Sequence, residues 1–552
     1  MNYSLIAEVL SKLDATTKRL EMTKILSDFI KEIKADDLKQ VILLLRGTVF
    51  PEYSEEVIGI ADKLMIKILS KASGINESEI IHSWKQTGDL GVVASDLMSK
   101  RKQATLSHDD LTIQKVFDNL TQATKTDGKG SVDHKAGLIS ELLTNASPLE
   151  AKYLTRTVLG TLRVGLGAGT IRDSLAQAFD CDKKLLERAY NLTADYATMA
   201  ETAAKEGNEG LKSVNLTIGQ PAKGMNYQKA KGIADAFDQV GKPCSVQYKY
   251  DGLRLQVHKK DSRIILFTRS LENVTNMFPE VVKAVRESIK VDCIIEGEGV
   301  GYNPIKKSFK PFQEISKRIK RKYDVESLAK ETPVVLYLFD ILDFKGKSVI
   351  DEPYKERWAK LKSIVKELPW QIELASQIIT DDEKIVDSFY KEALSKDQEG
   401  IMMKNLDAPY QPGSRVGFGV KIKPLKETLD LAIIGAEWGK GKRSNWLSSF
   451  TLACKKDDGY AEIGKLGTGL SDDEFKEVTR KLKPLITSEQ GKSVRVKPLI
   501  LLEVGYEEIQ QSPTYSSGFA LRFPRLIRFR EDKDEPDDIE KIKTIYSEQG
   551  KK

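Results

Sequence analysis

Apolar residues over the first 215 or so positions cluster or recur at three- and four-residue spacing, the signature of helices that bury one face. The pattern is clear in Val41 to Leu45, Val57 to Ile68, Leu138 to Leu143 and Leu185 to Tyr196. Helix breaks are expected at Gly47 to Pro51, Gly74, Gly88 and the polar stretch Lys125 to Asp133. Near Ile218-Gly219-Gln220-Pro221 the texture changes. From there to about residue 424, predicted strands over 245–250, 253–258, 264–268, 293–300, 334–341 and 400–403 alternate with helices such as 312–322 and 354–368, an α+β pattern with a largely antiparallel sheet. Beyond Lys423-Pro424, short strands are expected at 431–437, 449–454, 461–465 and 499–505. So many strands in so short a segment predict a small barrel. The charged tail after Asp532 carries a predicted helix at 539–546 and is expected to fray at Lys551-Lys552.

Composition narrows the class without naming it. The chain has 552 residues, 40% hydrophobic and 30% charged, which suits a soluble protein of several domains. No apolar run approaches the ~20 residues that span a bilayer, and the N-terminus lacks a secretory pattern, so no membrane association and a cytoplasmic location are expected. The four cysteines (Cys181, Cys244, Cys293, Cys454) and four histidines are scattered, with no zinc or disulfide spacing. A net charge of +6 permits nucleic-acid binding without demanding it.

Lys249 is the residue whose setting points to chemistry. It ends the strand-forming run Ser-Val-Gln-Tyr-Lys-Tyr, and Asp251-Gly252 reads as a two-residue hairpin turn before Leu-Arg-Leu-Gln-Val-His. Most lysines in a chain with 87 Lys and Arg are solvated surface. Charged groups, however, recur inside neighbouring apolar strands: Arg269 after 264–268, Glu298 in Ile-Ile-Glu-Gly-Glu-Gly, Asp340 beside Phe339, Glu399 before Gly-Ile-Met-Met-Lys404, and Lys421 alternating with Lys423. Charges in buried strands are costly unless paired or used, which favours one shared polar site.

The ordered set Lys-Tyr-Asp-Gly-Leu-Arg, Thr-Arg-Ser, Glu-Gly-Glu, Leu-Phe-Asp, Glu-Gly-Ile-Met-Met-Lys and Val-Lys-Ile-Lys resembles the covalent nucleotidyltransferase superfamily of DNA ligases, RNA ligases and capping enzymes. The whole chain resembles the archaeal/eukaryotic-type ATP-dependent DNA ligases. Supporting segments are Leu-Arg-Gly-Thr-Val-Phe-Pro-Glu-Tyr53 and Ala146-Ser-Pro-Leu-Glu-Ala-Lys-Tyr in the helical third, and Leu521-Arg-Phe-Pro-Arg-Leu-Ile-Arg-Phe-Arg-Glu-Asp-Lys near the end. The resemblance implies an all-α DNA-binding domain (1–215), an α+β nucleotidyltransferase or adenylation domain with antiparallel sheets (216–424), and a β-barrel OB-fold domain with a charged tail (425–552).

What the resemblance implies for chemistry is specific. Lys249 attacks the α-phosphate of ATP to form lysyl-AMP, AMP passes to the 5′-phosphate of a nick, and the 3′-hydroxyl seals the strand. A free lysine of pKa about 10.4 is almost wholly protonated at pH 7, so neighbouring cations and desolvation are needed to make it a nucleophile. Lys421 and Lys423 are expected at the α-phosphate, Glu298 at the ribose, Phe339 stacked on adenine, Arg269 at sugar or nick phosphate, and Arg254 and Arg415 near the nucleotide. Glu399, with Glu298, is the expected carboxylate for Mg2+, with Mn2+ as a substitute. Gln247 stands where this group often carries Glu, and Gly419 where an aromatic residue is common, so both sit at departures from the pattern. Arg156, Arg163 and Gly165–Gly169 are candidates for DNA contact, and Arg525, Arg528, Arg530 and Lys533 for the pyrophosphate. Gln103–Leu106 is a candidate sliding-clamp box lacking its aromatic pair, and a monomer acting on nicked duplex DNA is expected. An RNA ligase or capping enzyme fits the long helical domain less well, an NAD-dependent ligase lacks its cysteine cluster, and a silent nucleic-acid scaffold would have no use for the intact set.

Overall fold

The structure, a computed structural model, describes residues 1–100, 110–125, 130–306, 308–319, 325–424, 428–439 and 445–549. The segment Gln103–Leu106 and the terminal lysines Lys551 and Lys552 lie outside the described residues. The chain forms two compact units, Met1–Asp387 with Ile401–Lys421 and Ser388–Gly400 with Ile422–Lys552.

The first unit opens with helices around one continuous apolar core that includes Leu10, Leu26, Leu44, Leu69, Leu120 and Leu154. Two expected helices differ from the pattern. Ala61 is extended (φ −96°, ψ 168°), so the run from Val57 becomes helical only at Asp62–Ser73. The run 185–196 is two helices, Lys183–Thr193 and Tyr196–Ser213. Ala194 turns left-handed at φ +51° between them. The Asp195 carboxylate then caps the second helix, accepting from the Ala197 N–H at 2.9 Å and the Thr198 N–H at 3.3 Å. Apolar periodicity does not register a break when the flanking faces stay in phase; the Asp195 cap was the available signal.

Arg156 is a second correction. It is buried, donating to Asp89 at 2.7 and 3.1 Å and to Asp14 at 3.1 Å. It ties the helix Pro148–Val158 to two others, so its guanidinium is occupied within the helical core and not offered at the surface. Arg163, by contrast, is 53% exposed in its side chain.

Among the described residues twelve strands build the middle of the chain: β1 (Asn226–Lys229), β2 (Cys244–Lys249), β3 (Leu253–Lys260), β4 (Arg263–Thr268), β5 (Cys293–Asn303) and β6 (Ser308–Lys310) come first. They are followed by β7 (Val334–Phe344), β8 (Lys347–Ser348), β9 (Ile372–Leu374), β10 (Gln377–Thr380), β11 (Gly400–Asn405) and β12 (Arg415–Ile422). One sheet runs β1-β12-β11-β2-β10, the other β4-β3-β5-β7-β8 with β6 on β5 and β9 on β7. Pairing is mostly antiparallel, with β1 parallel to β12 and β7 to β9. The helices Pro279–Ser288 and Tyr354–Ile364 contribute Val281, Val285 and Leu361 to the core under the larger sheet.

The expected hairpin at Asp251-Gly252 is not there. β2 and β3 belong to different sheets, and the dipeptide carries the chain from one to the other. A Cβ on Gly252 would lie 2.5 Å from the Gly299 carbonyl oxygen, so only glycine lets β3 begin pairing with β5 at Leu253 opposite Gly299. The Asp251 carboxylate accepts the Phe312 N–H at 3.3 Å, fixing the crossing. A two-residue Asp-Gly between strands is a hairpin signal only when the strands have no better partners.

Among its described residues the second unit holds a curled seven-stranded antiparallel sheet and a separate two-stranded one, Glu508–Gln511 with Phe519–Arg522. Its strands are β13 (Thr428–Trp438), β14 (Leu447–Lys456), β15 (Gly459–Leu466), β16 (Ile486–Gln490), β17 (Ser493–Val496), β18 (Leu501–Gly505), β19 (Glu508–Gln511), β20 (Phe519–Arg522) and β21 (Arg525–Phe529). β13 pairs with β18 through its first half and β17 through its second, so the long strand bends round a core of Leu431, Phe450, Ile463 and Val504. The helix Asp472–Leu482, started by a Ser471–Glu474 capping box, closes part of that core with Phe475. A terminal helix runs Ile539–Gln549, as the tail pattern predicts.

Candidate active site

The crossing from β2 to β3 carries the chain from one sheet of the first unit to the other, and Lys249 ends β2 just before it. β2 is buried from Cys244 to Tyr248 and leaves Lys249 half-buried as its last residue. Its neighbours are clamped. Tyr250 stacks on Tyr337 with ring centroids 4.2 Å apart, and its hydroxyl accepts the Ser376 N–H at 3.0 Å. The lysine is therefore held on a rigid stem whose direction is set by buried aromatic rings.

Arg254 and Glu298 face each other across β3 and β5. The Glu298 side chain passes close to Gly252: a Cβ there would lie 2.9 Å from its Cγ. The Arg254 guanidinium lies 5.6 Å from the Phe339 ring centroid and donates to Glu296 at 2.6 Å, to the Met225 carbonyl at 2.7 Å and to the Tyr410 hydroxyl at 3.1 Å. Tyr410 in turn donates to Glu296 at 2.9 Å. Arg269 donates to the Asn226 side chain at 2.7 Å, and Asn226 is the register partner of Arg415 at the start of β12. Asn226 thus takes a side-chain bond from Arg269, just after β4, and pairs by backbone register with Arg415 on β12. Lys421 lies on β12, two strands from β2 in the same sheet.

Gln247 is buried, and both amide protons are used: Nε2 donates to the Tyr354 hydroxyl and to Gln377 Oε1, each at 2.9 Å. A carboxylate in that position would place a second acceptor against Gln377 Oε1, so glutamine suits this surrounding. In the second unit, Glu399 and Lys423 form an ion pair at 2.5 Å. Within that unit Arg528 is paired with Glu503 at 2.6 Å, Arg530 with Asp430 at 2.8 Å and Asp532 at 2.9 Å, and Lys533 with Asp430, while Arg525 is exposed.

Several residues and pairings of the site escaped the sequence, although Asp340 and Lys404 themselves stood in its motifs. Glu296 was overshadowed by Glu298, although period-two spacing puts both on one face of β5. Asp340 forms a bidentate pair with Arg357 at 2.8 and 3.0 Å, both side chains 1% exposed. Lys404 is buried with its ammonium 5.0 Å from the Phe339 ring centroid and 4.8 Å from that of Tyr354. Burial pushes its pKa down to about 8, with the Asp340 carboxylate acting in the opposite sense. Tyr227, Tyr410, Tyr354 and Gln377 carried no sequence signal at all, because their roles depend on strands that are distant in the chain.

Glu298 in the first unit and Glu399 in the second each offer carboxylate oxygens, the kind of donor a hard divalent cation takes alongside phosphate and water. Among the described residues no group of three or more His, Cys, Asp or Glu forms a metal cage by itself.

Comparison with known proteins adds to this geometry. Residues 225–423 match the family model of the ATP dependent DNA ligase domain, residues 2–176 that of the DNA ligase N terminus, and residues 443–533 that of the ATP dependent DNA ligase C terminal region. The chain is 45% identical to a DNA ligase of Nanoarchaeum equitans, with 100% of this chain and 99% of that protein covered. It is 42% identical to a DNA ligase of Thermococcus fumicolans, covering 99% and 98%, and 40% identical to one of Archaeoglobus fulgidus, covering 99% and 98%. A solved structure named Pmar-Lig_Pre superposes with a TM-score of 0.55 at 18% identity, covering 95% of this chain and 99% of that one, a likeness of fold.

Proposed function

The chain belongs to the archaeal/eukaryotic-type ATP-dependent DNA ligases, and from that membership we propose that Lys249 is the residue that carries the nucleotide. The family uses ATP and acts on nicked DNA, with general roles in replication and repair. The observation that carries the residue assignment is the stem of β2, which ends at Lys249 between buried tyrosines beside the Asp251-Gly252 crossing.

The Lys249 amine attacks the α-phosphate of ATP, a P–N bond forms and pyrophosphate leaves. The 5′-phosphate of a nick then takes the AMP from Lys249, and the adjacent 3′-hydroxyl displaces AMP to close the phosphodiester. Charge builds on the phosphate in each displacement, so fixed cations and alignment supply most of the rate. Lys421 and Lys423 serve the α-phosphate, Glu298 the ribose, Phe339 the adenine face, and Arg254, Arg269 and Arg415 the rest of the nucleotide. Gln247, with both amide protons committed, is assigned its carbonyl oxygen as the acceptor for the base. Glu399 and Glu298 are the carboxylates for the divalent cation, Mg2+ or Mn2+, which supplies charge neutralisation when bound.

The domain limits that go with this reading are 1–215 for DNA binding, 216–424 for adenylation and 425–552 for the OB-fold. The second unit's sheet and the matched C-terminal region support the last of these. Arg525, Arg528, Arg530 and Lys533 are kept for the pyrophosphate; for the last three that role requires exchange of their present carboxylate partners. We place the enzyme in the cytoplasm as a monomer, and no helix among the described residues is long and apolar enough to cross a membrane. A sliding clamp is the further partner of this reading, tested by pull-down. The test of the reading itself is incubation with ATP or NAD and Mg2+, followed by intact-mass measurement and sealing of a nicked duplex. A gain of one AMP with ATP alone and ATP-driven sealing are expected; adenylation at a residue other than Lys249 overturns the assignment.

A further inference from the structure

Gln247 is almost entirely buried, at 2% exposure, and only one edge of its amide is satisfied by the protein. Nε2 donates to the Tyr354 hydroxyl and to Gln377 Oε1, each at 2.9 Å, and the Tyr354 hydroxyl donates to Gln377 Oε1 at 3.0 Å. Oε1 of Gln247, on the opposite edge, receives no hydrogen bond from the described residues. A buried acceptor without a donor is costly, so the arrangement calls for a ligand that supplies one. Strand alternation puts Gln247 on the same face of β2 as Lys249, two residues on. The Tyr354 hydroxyl also lies 3.4 Å from the carbonyl oxygen of Phe339, so the group is continuous with that residue.

The partner of Gln247 is itself an amide. Gln377 stands directly opposite it in the antiparallel pairing of β10 with β2, and Tyr354 reaches both from the helix Tyr354–Ile364. The three side chains close a triangle of three hydrogen bonds in which Gln247 gives and Gln377 receives. A half-turn of both terminal amides reverses the triangle without loss. Gln377 Nε2 then donates to Gln247 Oε1 and to the hydroxyl, and the hydroxyl donates to Gln247 Oε1. Neither glutamine side chain has another hydrogen bond among the described residues that would oppose the turn. The outer edge of Gln247 changes from an acceptor to an N–H donor. An ionised carboxylate at either position could not do this, because it only accepts.

Purines differ at position 6 in the same sense: the amino group of adenine donates, and the oxo group of guanine or hypoxanthine accepts. We propose that Gln247 and Gln377 form an invertible amide pair that lets the nucleotide site accept a purine with either an amino or an oxo group at position 6. In one orientation Gln247 Oε1 takes a proton from the amino group; in the other Nε2 donates to the oxo group. The inference rests on the reading that the face of β2 bearing Lys249 takes the nucleotide, and it widens the substrate class from ATP to purine nucleoside triphosphates. Lys249 forms the same P–N bond and releases the same pyrophosphate in either case, with the amine proton passing to solvent. Gln377 is a positioning residue, setting the orientation of Gln247 without touching the base.

The experiment compares kcat/KM for enzyme–nucleotide formation with ATP and with ITP, whose base carries the oxo group, in the presence of Mg2+. The full chain is used as wild type, Gln377→Glu, Gln377→Lys and Gln247→Glu, with Lys249→Ala as a control. A site that offers a fixed hydrogen-bonding group rejects the wrong partner by about ten-thousandfold. Wild type is expected to keep its ATP-to-ITP ratio below about a thousandfold, and a larger ratio overturns the proposal. Gln377→Glu, which only accepts, holds Gln247 Nε2 inward and raises the ratio at least about tenfold. Gln377→Lys, which only donates, holds Oε1 inward and lowers it. Each ratio is taken within one variant, so partial loss of folded protein or a general weakening of binding cancels. A Gln377→Glu ratio that rises by less than about tenfold, or a Gln377→Lys ratio that does not fall, overturns the pair. Should Gln377→Lys lose its fold, Gln247→Glu, whose carboxylate also only accepts, is held to the same rise. Labelling lost in Lys249→Ala with the ratios unmoved rejects the pair and keeps the nucleotide reading; labelling that persists in Lys249→Ala rejects the nucleotide reading itself.

Discussion

Asp340 and Arg357 form a fully buried bidentate pair directly beside Phe339, and the energetics of such pairs are asymmetric. Removing one partner leaves a charge in a low-dielectric interior, which costs about 3–5 kcal/mol. Arg357→Met is therefore expected to lower unfolding free energy by about that amount, read from urea titration, and a loss well under 1 kcal/mol would show that water reaches the orphaned carboxylate. Asp340 follows Phe339 in a motif that marks the site, yet its carboxylate is spent on Arg357, so the motif mixes nucleotide-facing and load-sharing residues. The same division separates Glu298 from Glu296: adjacent on one face of β5, one lies over the Gly252 crossing and the other is bound to Arg254. Sequence spacing could group these charges; it could not tell that Arg254 would bind Glu296 and Arg357 would bind Asp340.

At the scale of elements, the crossing from β2 to β3 and the packing of β3 decide the geometry. Gly252→Ala forces a Cβ against the Gly299 carbonyl, so β3 must shift from β5. Lower thermal stability and slower adenylation are expected together, and a variant with wild-type values in both assays would contradict this account of the crossing. Farther along β3, His258 accepts the Gly219 N–H on Nδ1 at 3.0 Å, and its Nε2 lies 2.9 Å from Gln256 Oε1, an arrangement for the neutral ring. Burial pushes its pKa from 6.5 down to about 3. The unfolded chain takes up this proton first, so the stability tied to the neutral ring is present above pH 6.5 and is lost as pH falls toward 3, at about 1.4 kcal/mol per unit for this one group. Denaturation of wild type and His258→Gln between pH 7.5 and about 4.5 tests this: wild type is expected to lose stability more steeply, and parallel curves would refute it. Element type was legible because strands and helices of this chain carry the residues that favour them. Element partners were not. The Asp-Gly dipeptide reads as a hairpin from local propensity, and only long-range pairing of Leu253 with Gly299 shows that it is a passage between sheets.

For the whole molecule, the helical, α+β and barrel textures of the sequence correspond to the three matched family regions, and the order of motifs carried the family. What lay beyond the sequence is the set of contacts made across the fold: Arg156 held by Asp89 and Asp14, Tyr227 against Gly419, and Arg530 and Lys533 on Asp430. Each joins positions far apart in the chain, where no periodic pattern records the pairing. Nick binding through phosphates predicts that log Kd rises with log salt by about 0.9 per phosphate neutralised, equally for unrelated duplex sequences; a flat salt response would argue against a phosphate-dominated interface. The central claim, that Lys249 carries AMP, is tested most directly by intact-mass and peptide mapping after incubation with ATP and Mg2+. Wild type is predicted to gain one AMP on the peptide containing Lys249 and Lys249→Ala to gain none; an AMP adduct that persists in the variant contradicts the account.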